Sequence, residues 1–88
     1  MIRPIIPNQK ILYMKAQILK ELDKNIMVKG AGSFTSSHET LGCVTEEYKE
    51  LTDAVHSKDM KKIEEELLDI IGAAAWGLAS LYNKTLNW

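Results

Sequence analysis

The sequence predicts an all-α protein, and three observations support this fold class. Apolar residues recur at intervals of three and four in three long segments, as on one face of an amphipathic helix. Helix start and stop signals separate these segments, and none of them alternates apolar and polar residues with a period of two. The chain has 88 residues, 45% of them apolar and 26% charged. This composition is typical of one folded domain, here residues 1–88.

The first helix is predicted over about residues 9–28. Pro7 and Asn8 form its start signal, with Asn8 as the expected N-cap, and Gly30 is expected just beyond its last turn. Its apolar stripe consists of Ile11, Leu12, Met14, Ile18, Leu19, Leu22 and Ile26.

The second helix is predicted over about residues 37–56. It follows a capping-box pattern, in which the hydroxyl of Ser36 precedes Glu39 by three residues. Its expected core positions show a 3-4-3-4 spacing and are Leu41, Val44, Tyr48, Leu51 and Val55.

The third helix is predicted over about residues 59–82, with Asp59 suited to cap its first turn. Because the connection at residues 57–59 is tight, the second and third helices are expected to form an antiparallel hairpin. A three-helix protomer of this size has a thin core, so we expect it to oligomerise into a four-helix-type bundle, as a homodimer or homotetramer. The expected stripe of this helix is Met60, Ile63, Leu67, Ile70, Ile71, Ala74, Leu78 and Leu81.

Composition also excludes several classes of protein. Cys43 is the one cysteine, so an internal disulfide framework is excluded and a cytoplasmic location is expected. The net charge of -1 gives no support for nucleic-acid binding. The longest weakly polar run, residues 67–82, contains Asp69 and is shorter than the ~20 residues of a membrane span. We therefore expect neither nucleic acid nor a membrane as a partner.

Four acidic residues are predicted to cluster on one face of the hairpin. At 100° per residue, Glu47 and Glu50 lie roughly 80° and 140° from the centre of their apolar stripe, and Glu66 and Asp69 show the same offsets on the third helix. The levels match as well. Glu50 and Glu66 lie eight residues before and after Lys58, whereas Glu47 and Asp69 lie eleven residues before and after it. Glu50 should therefore face Glu66, and Glu47 should face Asp69.

Four carboxylates at this range repel one another and require a compensating cation. Lys62 precedes Glu66 by four residues and is one candidate. A divalent ion is the other. Oxygen ligands without His or Cys favour Mg²⁺, or Mn²⁺, over Zn²⁺. A solvated or dimer-bridging acidic face is the remaining interpretation.

The acidic pattern resembles the signature of a known superfamily. Glu46-Glu47-Tyr48-Lys49-Glu50 is followed after fifteen residues by Glu66-Leu67-Leu68-Asp69, which reads E-x-x-E and then E-x-x-D. This pattern is similar to that of the MazG-like all-α nucleoside triphosphate pyrophosphohydrolases, over about residues 37–82. The superfamily includes MazG, the all-α dUTPases and dCTPases, and phosphoribosyl-ATP pyrophosphohydrolase.

The resemblance implies a Mg²⁺-dependent hydrolase that cleaves the bond between the α- and β-phosphates, giving a nucleoside monophosphate and pyrophosphate. It implies that Glu47, Glu50, Glu66 and Asp69 are metal ligands. One of the four, with Glu47 as the choice, is alternatively expected to orient or deprotonate the attacking water instead.

Residues that would contact the substrate are harder to identify from the sequence. Lys62 and Lys84 are candidates because they are cationic. Trp76 lies seven residues after Asp69, so it could stack on a base, or it could instead be an aromatic residue of a dimer interface. Two other functions stay open, a non-catalytic helical interaction module and a phosphoribosyl-ATP pyrophosphohydrolase.

Overall fold

The computed structural model describes residues 2–88 and shows three helices, α1 (Asn8–Lys29), α2 (Ser37–His56) and α3 (Met60–Tyr82). Within these residues there is no β-strand, only an isolated parallel bridge between Ser36 and Asn87. The all-α prediction is therefore confirmed, and each helix end lies within one residue of its predicted position. None of the three helices combines the length and the apolar character that crossing a bilayer requires.

Side-chain caps begin α2 and α3 as the sequence predicts. The Ser36 hydroxyl accepts a hydrogen bond from the Glu39 backbone N–H at 3.0 Å, and the Asp59 carboxylate accepts one from the Lys62 N–H at 3.1 Å. The Glu39 carboxylate reaches back to the N–H of Thr35, one residue before the cap. The prediction for Asn8 is wrong. Asn8 is the first helical residue of α1, and Pro7 holds the cap position in an extended conformation without a side-chain hydrogen bond. The Pro7 carbonyl instead accepts hydrogen bonds from the Lys10 and Ile11 N–H groups, which starts the helix one residue earlier than expected.

Left-handed residues end the helices. Gly30 follows α1 with φ of 80°, a conformation that glycine adopts without steric cost. Lys58 has φ of 58° in the connection from α2 to α3. Its N–H donates to the Val55 carbonyl and the Asp59 N–H donates to the Ala54 carbonyl, which is the hydrogen-bond pattern of a Schellman motif.

Helix α3 contacts both other helices, and its contact with α2 is the more extensive. Small side chains bring these two helices close together. A Cβ atom at Gly77 would collide with Cγ2 of Thr40, so the backbone of α3 passes directly against the start of α2. The buried residues of the described chain are Ala54, Glu66, Gly72, Gly77 and Ser80.

The large apolar residues predicted to form the core are mostly exposed in the single chain. The prediction that these stripes pack against one another within the chain is therefore wrong. The α2–α3 contact runs along the flank of small residues rather than along the stripe of large ones, because small side chains permit the closer approach. Several large stripe residues therefore face outward, namely Leu12, Met14, Leu19, Ile26, Leu41, Tyr48, Val55, Met60, Leu67, Leu78 and Leu81.

The segment between α1 and α2 is held against α3 and the residues that follow it. The Phe34 N–H donates to Oγ of the buried Ser80 at 3.0 Å, and the Ser33 and Thr85 hydroxyls share a hydrogen bond. The Asn87 N–H donates to the Thr35 carbonyl. These bonds fix the direction in which α2 begins, and hence the position of its acidic residues relative to α3.

Candidate metal centre and adjoining cleft

The structure brings the four predicted acidic residues together. One carboxylate oxygen from each of Glu47, Glu50, Glu66 and Asp69 lies within 4.8 Å of the others. Each pair is spaced three residues apart on its helix, Glu47 with Glu50 on α2 and Glu66 with Asp69 on α3, so both side chains of a pair project in similar directions. The cluster spans the contact between α2 and α3.

Burial differs strongly among the four side chains. Glu66 is only 2% exposed, Glu47 and Asp69 are partly buried, and Glu50 is open to solvent. Burial is the largest cause that raises the pKa of Glu47 to about 7, and the negative charges of Asp69 and Glu50 raise it further. Burial also raises the pKa of Asp69, with repulsion from Glu66 as the next cause. The pKa of Glu50 is raised because Glu50 shares a hydrogen bond with Glu66 and is repelled by it.

Lys62 compensates part of this negative charge. Its Nζ lies 3.4 Å from Oε1 of Glu66 and 3.9 Å from Oε2 of Glu65, with half of the lysine side chain exposed. The hydrogen bond to Glu66 raises the pKa of Lys62, which therefore stays charged. Lys62 is thus in contact with the cluster, as expected of the lysine that was one candidate for the compensating cation.

Lys62 does not pair with all of the buried carboxylate oxygens of the cluster. Oε2 of Glu47 and Oε2 of Glu66 are buried and have no hydrogen-bond partner within residues 2–88. Buried carboxylate oxygens are normally paired with a donor or a cation. The two orphaned oxygens, the short spacing and the all-oxygen donor set fit a hard divalent cation. The residues present could therefore hold a metal ion.

A cleft of about 420 Å³ opens beside the cluster. Glu47 and Asp69 line one part of it, and Trp76 and Phe34 supply aromatic surface. The indole N–H of Trp76 donates to the Gly32 carbonyl at 2.6 Å, which fixes the ring against the segment that precedes α2. The volume lies within the ~300–1,000 Å³ range of small-molecule sites.

The predicted substrate residues lie at different distances from this centre. Lys62 touches the cluster and Trp76 lines the cleft. Lys84 follows the end of α3 with φ of 59°, fifteen residues after Asp69. At 1.5 Å per residue, most of that separation being helix, Lys84 lies roughly 20 Å along the axis from the acidic centre. The structure does not bring Lys84 to the cluster.

Sequence reasoning missed the part of the cleft that α1 contributes. Asn25 and Lys29 lie on α1 and line the cleft together with Gly72 of α3. Neither belongs to a motif, and Asn25 reaches α3 only because Gly72 has no side chain. A Cβ atom at Gly72 would lie 2.8 Å from the Asn25 amide nitrogen. The weak signal available was the presence of small residues on α3.

The fold and the site place this chain among small all-α proteins with a carboxylate centre formed between two helices. Comparison with protein families is more specific. Residues 35–81, more than half of the chain, match the model of the MazG nucleotide pyrophosphohydrolase domain. The chain belongs to this family, which confirms the resemblance seen in the sequence. No curated protein and no solved structure matches the chain significantly.

Proposed function

We propose that this protein is a Mg²⁺-dependent nucleoside triphosphate pyrophosphohydrolase, which cleaves the bond between the α- and β-phosphates to give a nucleoside monophosphate and pyrophosphate. The observation that carries the proposal is the set of four carboxylates within 4.8 Å, two of which have buried oxygens without a hydrogen-bond partner among residues 2–88. The match to the MazG nucleotide pyrophosphohydrolase domain supports this substrate class.

The acidic residues would hold the cofactor. Glu47, Glu50, Glu66 and Asp69 offer the oxygen ligands that Mg²⁺ prefers, and Mn²⁺ would fit the same donors. When bound, such an ion supplies charge neutralisation for the triphosphate and polarises its phosphoryl oxygens. Lys62 supplies a further positive charge beside Glu66.

Hydrolysis requires that one water molecule be positioned and lose a proton. We assign this role to Glu47, which is partly buried and lines the cleft, and whose Oε2 has no hydrogen-bond partner in the described part of the chain. The hydroxyl of the water joins one phosphorus, the phosphoanhydride P–O bond breaks, and the proton passes to the Glu47 carboxylate. The two phosphate products then leave as monophosphate and pyrophosphate.

The same proposal includes self-association. We propose that α2 and α3 form an antiparallel hairpin that pairs with a second copy in a four-helix-type bundle, as a homodimer or homotetramer. Exposed large apolar residues on both helices support it, among them Leu41, Tyr48, Leu67 and Leu78. Large apolar side chains left exposed at helical spacing on both helices are typical of a surface that packs against another molecule.

The activity test is a panel of nucleoside and deoxynucleoside triphosphates, incubated with the purified protein and Mg²⁺ and assayed for pyrophosphate. We expect pyrophosphate release that EDTA abolishes and that falls at least about a hundredfold in Glu50→Gln or Asp69→Asn. Glu64→Gln is the matched control, because Glu64 lies on α3 but is exposed and outside the cluster. Full activity in both site variants would refute the assigned centre.

The same panel separates the alternatives. Cleavage of phosphoribosyl-ATP in preference to every simple triphosphate would assign the narrower substrate. No turnover, together with a melting temperature indifferent to Mg²⁺ and Mn²⁺, would indicate a non-catalytic helical module, because a ligand of the native state raises its stability by mass action.

A further inference from the structure

We propose that the cleft beside the acidic cluster binds the nucleoside part of the substrate, and that Asn25 of α1 is the residue that discriminates among bases. This inference rests on the proposed function, since it assigns the base-reading part of the same site. Asn25 lies outside residues 35–81, the region that matches the family model. Base selectivity would therefore be a property that this chain's first helix supplies.

The composition of the cleft matches the two ends of a nucleotide. Carboxylates of Glu47 and Asp69 border it where the phosphates and their cation would lie. The aromatic rings of Phe34 and Trp76 border it as well, and an aromatic ring can stack on any of the nucleobases. A ligand with a polyanionic end and a flat apolar end is therefore complementary to this cleft.

Trp76 provides a surface rather than a hydrogen bond. Its indole N–H already donates to the Gly32 carbonyl at 2.6 Å, and an indole has no second donor. The bond orients the ring, which contributes to stacking without distinguishing one base from another. Base discrimination must then come from another polar side chain of the cleft.

Asn25 has the chemistry for this role. Its amide offers two donors and a carbonyl acceptor, so it can pair with a base edge that carries both kinds of group. Asn25 is half-buried and lines the cleft. Its Nδ2 approaches the backbone of α3 so closely that a Cβ atom at Gly72 would lie 2.8 Å away. Gly72 therefore determines where the amide is placed.

Lys29 lies one helical turn after Asn25 on α1 and also lines the cleft. Its positive charge lies close enough to Asp69 to lower the pKa of that carboxyl, although burial and nearby negative charges raise this pKa by more. Helix α1 therefore presents an amide and a cation to the same cleft, which suits a base and a phosphate.

Binding can be measured without turnover. The chain has two tryptophans, so a Trp88→Phe variant reports on Trp76 alone. The probes are the nucleoside 5′-monophosphates, which retain the base, titrated in the presence of Mg²⁺. We expect saturable quenching of Trp76 fluorescence, with one base bound more tightly than the others.

Two variants test Asn25 in this background. Asn25→Ala should weaken binding of the preferred monophosphate by roughly three- to tenfold, the change that one hydrogen bond carries, and reduce the preference among bases. Gly72→Ala retains the amide but displaces it, so it should reduce the same preference while leaving the helix folded, since alanine favours helix over glycine. Gln9→Ala removes an exposed amide at the start of α1 and should change neither quantity.

The outcomes distinguish this inference from the proposed function. Absence of saturable quenching by any monophosphate would overturn the cleft assignment, and an unchanged base preference in Asn25→Ala would overturn the role of Asn25. Base-selective quenching without pyrophosphate release from triphosphates would instead contradict the proposed hydrolysis and support the nucleoside site. In an active protein, the relative kcat/KM values for the triphosphates should follow the binding preferences.

Discussion

Glu47→Gln is expected to stabilise the metal-free protein at alkaline pH. The substitution replaces a partly buried carboxylate, surrounded by three others, with a neutral side chain of the same shape. The folded protein raises the pKa of Glu47 from 4.5 to about 7. At ~1.4 kcal/mol per pKa unit this difference corresponds to about 3–4 kcal/mol. Because water still reaches the side chain and screens its charge, we expect the substitution to raise the free energy of unfolding by about 1–2 kcal/mol.

The sign follows from the direction of the shift. A carboxyl whose pKa is raised on folding binds its proton more tightly in the folded state, so its protonation favours folding below the unfolded pKa of 4.5. This contribution is lost as the pH rises from 4.5 through about 7, where the native carboxyl ionises. The glutamine variant resembles the protonated form at every pH. Its advantage over the natural sequence should therefore be small near about pH 5 and full near about pH 8.

Thermal unfolding in EDTA, followed by circular dichroism at constant protein concentration, measures this difference. We expect Glu47→Gln to melt roughly 5–10 °C higher than the natural sequence near about pH 8 and at nearly the same temperature near about pH 5. Added Mg²⁺ should reverse the order, since only the natural sequence has the complete carboxylate set. Glu64→Gln should show no pH-dependent difference. An equal shift at both pH values, or a less stable variant at alkaline pH, would refute the reasoning.

Three further predictions concern packing, charge and assembly. Gly77→Ala should lower the free energy of unfolding by about 1–2 kcal/mol, because the added methyl group collides with Thr40. Adding Thr40→Ser to this variant should restore most of the lost stability, and a double-mutant cycle of urea unfolding measures the coupling. Lys62→Met should lower the melting temperature in EDTA more than in Mg²⁺, because the lysine is a cation that contacts Glu66; equal losses in both would contradict this. Leu67→Glu and Tyr48→Glu should shift the protein toward monomer in sedimentation analysis, whereas an unchanged mass would exclude this face as the interface.

The acidic centre could be predicted from the sequence because it depends on helical geometry alone. Residues three apart share a face, and equal distances from the Lys58 turn predict that Glu50 lies level with Glu66 and Glu47 with Asp69. The structure brings one carboxylate oxygen of each of the four residues within 4.8 Å of the others. The caps at Ser36 and Asp59 were predictable for the same reason, since each depends on hydrogen bonds within four residues.

The packing faces and the cleft could not be predicted in this way. Periodicity identifies an apolar stripe but does not show whether it faces the same chain or another molecule, so Tyr48 and Leu67 appeared to be core residues and are exposed. The cleft joins Asn25 to Gly72, and that proximity depends on how α1 crosses α3. No local pattern encodes a contact between residues so far apart in sequence.

The composition of the interior explains why the charge of the centre should affect stability so strongly. Within residues 2–88 the one buried hydrophobic side chain is that of Ala54, whereas the acid Glu66 is equally buried at 2% exposure. Small residues bring α2 and α3 close enough for the four carboxylates to meet, but they bury little apolar surface to offset the repulsion that results. The feature that assembles the centre is thus the same feature that leaves the isolated chain with a thin core. A cation at the carboxylates and a second copy on the exposed apolar face would relieve these two deficits separately, one electrostatic and one hydrophobic.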